Sequence, residues 1–266
     1  MKVNYGSSVP ISTIDWHGRV SVVFFLRGCP FRCPYCQNYE LLVESNMVDI
    51  SVLEAAIKKS KPFVSSMVLS GGEPLIQKKA CMRLARFAKD NGLLVGIHTC
   101  GFYPKVVAEM IDEGLVDKFF IDVKAPLDDP GMYARAIGCC EPQAAGECTM
   151  VDPEEAMKNV SESILTVLHS DVELELRTTA IRDFIGNADD ISKIAASIFE
   201  LTGRRDIPYA IQQGIPEHAM LERMRDTRPY SRDEMQELAV AASEFLDDVW
   251  MRTKEKGNEK VNFKPI

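Results

Sequence analysis

No stretch of this sequence stays apolar for the roughly 18 residues that a membrane-crossing helix requires, which excludes a helical span. The opening MKVNYGSSVPISTIDW lacks the charged start and the following apolar run of about 7 to 15 residues of a secretory leader. Together these absences predict a soluble, cytoplasmic protein with no membrane partner. Cations are in the minority, 31 Lys and Arg against 39 Asp and Glu, for a net charge of -8. That balance argues against nucleic acid as a partner, because phosphate binding needs clustered Lys and Arg, although a local basic patch stays open. Internal repeats, low-complexity tracts and linkers are missing too. The 266 residues therefore read as one domain spanning 1–266, a size that α/β barrels reach as a single unit. A chain of this length buries roughly three quarters of its unfolded surface and needs no metal merely to stay folded. Any metal it binds is functional.

Cysteine is what the sequence does have: eight residues, which in a reducing compartment argue for free thiols and metal ligation over a disulfide framework. Three of them, Cys29, Cys33 and Cys36, fall within GCPFRCPYCQN at 28–38. Pro30 and Pro34 each follow a cysteine, and a residue before proline is pushed away from helical angles, so Cys29 and Cys33 lie on an irregular, extended loop. Three chemistries compete for such a loop. Structural zinc takes four protein ligands, whereas only three cysteines cluster here and His17 lies twelve positions upstream. A redox Cys-x-x-Cys uses Cys33 and Cys36 but leaves Cys29 idle. An iron–sulfur cubane held by three thiolates keeps one iron open for a substrate or cofactor.

Seven short runs rich in Val, Ile and Phe read as strands: 21–27, 65–70, 93–99, 117–124, 172–181, 207–214 and 248–254. Between them, LIQKKACMRLARFAKDNG places Ile76, Ala80, Leu84 and Phe87 on one helical face, with Cys81 in the core. PKVVAEMIDEG starts at Pro104, where the missing N–H costs nothing, and stops at Gly114. Further helices are expected at 153–168, 188–201 and 231–246. Alternating strands and helices point to parallel pairing, because parallel strands require crossovers. The expected architecture is α/β, a barrel, open or closed, in preference to a flat doubly wound sheet. Either way the ligand sits at the C-terminal strand ends, and the cysteine loop follows the end of the first predicted strand. Residues 125–152 break the rhythm as a long loop insertion, a lid or docking surface.

The spacing of Cys29, Cys33 and Cys36, with Tyr35 before the last, resembles the Cys-x-x-x-Cys-x-aromatic-Cys signature of the radical S-adenosylmethionine (SAM) superfamily. SGGEP at 70–74, after the second predicted strand, resembles that superfamily's Gly-Gly-Glu-Pro motif. The resemblance implies a partial (β/α)6 TIM-like barrel with its core at about 19–254. It also implies a [4Fe–4S] cluster on the three cysteines and S-adenosyl-L-methionine at the open iron, with Tyr35, Gly71, Gly72 and Glu73 around the cofactor. Read without it, SGGEP still makes physical sense: two glycines let the backbone approach a ligand closely and the carboxylate can pair with an ammonium group, or the stretch is an ordinary turn before a helix.

Asp122 and Lys124, two apart in DKFFIDVK, point to one face of a strand. They form either a structural ion pair or, as in the glycyl-radical-enzyme activating enzymes this chain resembles, an Asp-x-Lys beside the cofactor's methionine moiety. Arg177, in LELRTT, resembles the cofactor-contacting arginine of the same family, or is a surface-strand arginine. IHTCGFYP departs from the family's pattern. An asparagine commonly precedes the glycine and an aspartate can precede the threonine, but Cys100 and His98 stand there. Cys100 reads as a small buried residue and His98 as packing. Cys139, Cys140 and Cys148 do not reproduce ferredoxin-type repeats, and a second metal site on them is a hypothesis.

The opening VPISTIDWHGRVSVVFFLRGCPFRCPYCQN and QQGIPE at 212–217 look like archaeal-type anaerobic ribonucleoside-triphosphate reductase activating proteins. The resemblance implies an oxidoreductase that reductively cleaves S-adenosylmethionine to a 5′-deoxyadenosyl radical. That radical takes a hydrogen from a glycine of a glycyl-radical enzyme partner, and the electron comes from a donor such as ferredoxin or flavodoxin. The competing readings are a radical enzyme acting on a small molecule or tRNA, and a non-enzymatic iron–sulfur or zinc module.

Overall fold

A computed structural model describes residues 1–139 and 148–261. By their internal contacts these residues divide into two compact units. The first comprises 1–30, 38–121 and 162–174, and the second 31–37, 122–161 and 175–266.

The first unit runs β1 (Lys2–Ser12), β2 (Ser21–Leu26), the one-turn α1 (Glu40–Val43), β3 (Met47–Asp49), α2 (Ser51–Ser60), β4 (Ser66–Gly71), α3 (Lys78–Asp90), β5 (Leu94–Thr99), α4 (Pro104–Asp112) and β6 (Lys118–Asp122) up to Ile121. Strands β2, β4, β5 and β6 are parallel neighbours in that order, while β1 pairs antiparallel with both β2 and β3. The parallel strands are buried on both faces, hence their near-continuous apolar sequences. One face carries Phe24, Leu69 and Ile97 and is covered by α2 and α3. On the other, Trp16 packs with Val23, Val68 and Phe120, its ring 5.7 Å from that of Phe120. Position 96 must be glycine there, since a Cβ would come within 2.9 Å of the Trp16 ring. This plug fills the middle of the sheet and leaves the C-terminal strand ends to the residues that follow them.

The second unit holds α5 (Pro130–Ile137), part of α6 (Pro153–Leu168), β7 (Glu173–Ala180), α7 (Ala188–Thr202), β8 (Tyr209–Gln213), the one-turn α8 (Glu222–Arg225), α9 (Arg232–Ser243), β9 (Val249–Thr253) and β10 (Gly257–Lys260). Strands β7, β8 and β9 are parallel, and β10 returns antiparallel along β9. Leu176, Tyr209 and Val249 share a register line, as do Thr178, Ile211 and Met251. This face meets α9, which buries Met235, Leu238, Ala239 and Ala242.

All seven expected strands form, and the alternation of parallel strands and helices is as expected. One helical face differs. A 3-10 turn at Pro74–Gln77 precedes α3, so Ile76 lies off the helix and is exposed, and the buried stripe is Ala80, Cys81, Leu84, Ala85 and Ala88. Within 125–152, α5 is ordered by the Asp129 cap, whose carboxylate accepts from Met132 N at 2.8 Å. No helix among the described residues is long and apolar enough to cross a membrane.

Candidate active site

In the first unit the chain leaves β2, turns at Gly28 with φ +93° and reaches Cys29. The Gly-Gly-Glu turn at the end of β4 is bonded onto this exit. Gly72 N–H donates to Leu26 O at 3.0 Å, and Glu73 N–H to Gly28 O at 2.7 Å. Both glycines are dictated by that closeness. Gly71 sits at φ +120°, a Cβ on it would overlap the Leu26 backbone, and one on Gly72 would overlap Gly28 O and lie 3.3 Å from Cys29 Cβ. The backbone that approaches so tightly is therefore the chain's own cysteine loop, rather than a ligand alone.

Glu73 is fully buried, and both of its carboxylate oxygens accept hydrogen bonds: Leu75 N at 2.9 Å, Thr99 Oγ1 at 2.9 Å and Cys100 N at 2.6 Å. It thus clasps the ends of β4 and β5 together. Burial raises its carboxyl above the usual range, opposed by these hydrogen bonds. Cys100 is buried beside it. Burial pushes this thiol well up, and neighbouring Cys29 and Glu73 push it further. His98 Nε2 lies 3.0 Å from Asp15 O and its ring stands edge-on to Phe120 at 4.8 Å, the packing expected of it. Cys81 is fully buried and its thiol donates to Pro74 O.

In the second unit Cys36 N–H donates to Cys33 O at 3.0 Å, closing a tight turn. Pro34 O accepts from Leu221 N at 2.9 Å, and Arg32 N–H donates to Ile137 O at 2.8 Å, so α5 and the segment before α8 fix this piece of loop. Tyr35 is buried against Phe184, ring centroids 5.8 Å apart. Its phenol is raised well above 10 by burial; Lys124 opposes the rise, and Cys33, Asp122 and Tyr133 add to it. Tyr35, Cys33, Asp122 and Lys124 are thereby gathered in one neighbourhood. Lys124 Nζ donates to Asp122 Oδ2 at 3.1 Å, the lysine side chain 12 % exposed and the aspartate 40 %. Val123 lies between them in sequence, donating to Arg177 O at 2.8 Å and accepting from Thr178 Oγ1 at 2.7 Å.

Arg177 is buried, and its Nε donates to Glu175 Oε1 at 2.8 Å, which rules out a surface-strand arginine. Arg252 of β9 donates to the same Glu175 oxygen. Sequence reasoning missed Glu175 and Arg252. The signal available was a second carboxylate–cation pair two apart in a strand, like Asp122 and Lys124. Among the described residues no three His, Cys, Asp or Glu side chains are drawn together as ligands of a single metal ion. The donors of a three-cysteine cubane each bind a different iron.

A sequence model of the radical SAM superfamily matches residues 23–173, from β2 to the start of β7. The chain belongs to the radical SAM superfamily. This is an enzyme superfamily that uses S-adenosylmethionine and a [4Fe–4S] cluster. A protein of Methanocaldococcus jannaschii named as a candidate glycyl-radical enzyme activating enzyme is 33% identical over 253 residues, 95% of this chain and 97% of that one. A Staphylococcus aureus pyruvate formate-lyase-activating enzyme is 30% identical over 107 residues, 38% of this chain and 41% of its own length. Among solved structures, a radical SAM methyltransferase from Sphaerobacter thermophilus superposes with a TM-score of 0.66 at 14% identity, covering 89% of this chain and 67% of that one, a likeness of fold.

Within this radical SAM chain, the remaining cysteines of the long insertion are divided. Cys139 is buried with its thiol donating to Val151 O at 3.1 Å, Cys148 is exposed, and Cys140 lies outside the described residues.

Proposed function

We propose that this chain is a glycyl-radical-enzyme activating enzyme, with an anaerobic ribonucleotide reductase as its partner, since the sequence resembles the activating proteins of such reductases. The observation that carries this reading is the relative named as a candidate glycyl-radical enzyme activating enzyme, matched along 95% of this chain and 97% of its own length. Cys29, Cys33 and Cys36 fit a [4Fe–4S] cluster by their donor chemistry: three thiols on a loop without helical geometry, with Cys29 and Cys36 partly accessible. When bound, the cluster supplies the electron that cleaves S-adenosylmethionine to a 5′-deoxyadenosyl radical. The protein's own residues hold and orient the reactants. Gly71 and Gly72 admit the close approach of strand ends beside Cys29, and Glu73 keeps that turn fixed against Thr99 and Cys100. Lys124, held by Asp122, offers an ammonium for the cofactor's carboxylate. Tyr35 closes the neighbourhood against water by packing on Phe184.

The test is to reconstitute the protein without oxygen, reduce it, supply S-adenosylmethionine and an anaerobic ribonucleoside-triphosphate reductase, and record the electron paramagnetic resonance spectrum. A glycyl doublet on the reductase that depends on all three components supports the reading. Deoxyadenosine formation that the reductase leaves unchanged but a metabolite or tRNA stimulates would replace it with a radical enzyme acting on that substrate.

A further inference from the structure

Cys100 is a buried thiol beside a cluster ligand, and the proposed activity gives it nothing to do. In the first unit the Gly-Gly-Glu turn stands between the two cysteines. On one side, Gly72 N–H and Glu73 N–H donate to Leu26 O and Gly28 O, which draws Cys29 against the turn, and a Cβ on Gly72 would lie 3.3 Å from Cys29 Cβ. On the other side, Cys100 N–H donates to Glu73 Oε2 at 2.6 Å. Gly72 has no side chain to keep the two cysteines apart, and their side chains are hydrogen-bonded to each other. Glu73 lies within hydrogen-bonding reach of the same Cys100 thiol.

Between two thiols either sulfur can donate. Iron ligation removes that freedom. A cysteine binds metal as the thiolate, so a ligating Cys29 has lost its hydrogen and its sulfur can only accept. Cys100 lies outside the three-cysteine loop and keeps its own hydrogen. The competing acceptor is Glu73, whose two oxygens already take Leu75 N–H, the Thr99 hydroxyl and the N–H of Cys100 itself. The thiol hydrogen is therefore better placed on the Cys29 sulfur than on an already supplied carboxylate.

We infer that Cys100 is a positioning residue for the reduction step: in the loaded protein its S–H donates to the Cys29 sulfur and makes the cluster easier to reduce. The added electron makes the ligating sulfur a stronger acceptor, so a donor at that sulfur stabilises the reduced form more than the oxidised one. Hydrogen bonds to the sulfurs are among the features that set such potentials. The cluster gains one electron from its donor, and the Cys100 hydrogen stays on Cys100. This inference rests on the reading of Cys29, Cys33 and Cys36 as cluster ligands.

The experiment uses reconstituted, oxygen-free wild type, Cys100→Ala and Cys100→Ser without S-adenosylmethionine. Each is poised with a low-potential reductant and mediators, and the reduced cluster is counted by electron paramagnetic resonance. At a fixed potential the ratio of reduced to oxidised cluster should be roughly two- to tenfold lower in C100A than in wild type, the scale of one net hydrogen bond; tenfold is 59 mV for one electron. C100S keeps a donor and should return toward the wild-type ratio, with iron content equal in all three. Equal potentials in wild type and C100A overturn the inference, as does C100S matching C100A, which would leave only a packing effect. Loss of iron in C100A overturns it too, since Cys100 would then hold the cluster in place of tuning it. Infrared spectra of wild type give a readout that needs no variant. Loading the cluster should move one of the remaining S–H stretches to lower frequency, and remaining bands that do not move overturn the inference. A wild type that binds no cluster strikes the proposed function along with this inference, whereas a loaded wild type whose potential ignores Cys100 strikes this inference alone.

Discussion

Glu73 shows how much one side chain can carry in this fold, because its two oxygens satisfy backbone N–H groups at the ends of two strands. Glu73→Gln replaces one acceptor with a donor that must face Leu75 N–H or Cys100 N–H. Leaving one of these buried donors unpaired costs about 1–3 kcal/mol, to be read as a lower urea midpoint at neutral pH. The raised carboxyl gives a sign for pH as well. A folded-state value above the unfolded one means the native protein holds the proton more tightly, so this group's contribution to stability falls as pH rises through the folded value. In E73Q that segment of the pH–stability curve should flatten. Gly72→Ala tests the neighbouring contact. Its Cβ would overlap Gly28 O and press on Cys29 Cβ, so we expect about 1–3 kcal/mol of overpacking cost together with reduced iron content after reconstitution. Full iron loading in G72A would contradict the view that this turn supports the cysteine loop.

Elements that hold the fold can be separated from those that hold the site. Helix α9 covers the apolar face of β8 and β9 and begins with a capping box, Ser231 accepting from Glu234 N while the Glu234 carboxylate accepts from Ser231 N. Removing the cap in Ser231→Ala should cost about 1 kcal/mol by chemical denaturation. Iron content and S-adenosylmethionine affinity should be unchanged, since no residue assigned to the site touches Ser231. A loss of cofactor affinity in S231A would show that the sheet's two faces are coupled more tightly than their separate packing implies. The loop after β7 is the contrasting case. It carries Phe184 onto Tyr35, with the Arg135 guanidinium 5.6 Å from the same ring. Phe184→Ala should therefore leave the melting temperature nearly unaltered while making the reconstituted cluster bleach faster in air, as followed by its visible absorbance.

At the scale of the whole molecule, what the sequence made legible was what burial writes into it. Strands such as SVVFFL and KFFID are apolar because both faces are covered, and they were found. Strand β1, KVNYGSSVPIS, is largely exposed and carries a glycine and a proline, so no period marks it, and β3 and β10 are too short and polar to stand out. The cysteine loop and the Gly-Gly-Glu turn are local in sequence, and their residue types announce them. That the turn is bonded to Gly28 is not legible, because the partners lie on different strands. Still less legible is the Glu175–Arg252 pair, 77 residues apart, which only strand register brings together. Iron analysis addresses the molecule as a whole: about four irons and four sulfides per chain are expected from one cubane. A reproducible second set would point to the thiols of the long insertion.

The central claim is that Cys29, Cys33 and Cys36 hold a cluster whose open iron engages S-adenosylmethionine. The most direct measurement is 5′-deoxyadenosine released from S-adenosylmethionine by the reconstituted, reduced, oxygen-free protein, with the triple variant C29A/C33A/C36A measured in parallel. The account predicts release by the wild type and none above background from the variant. A fully iron-loaded wild type that releases none, or a variant that matches it, would contradict the account.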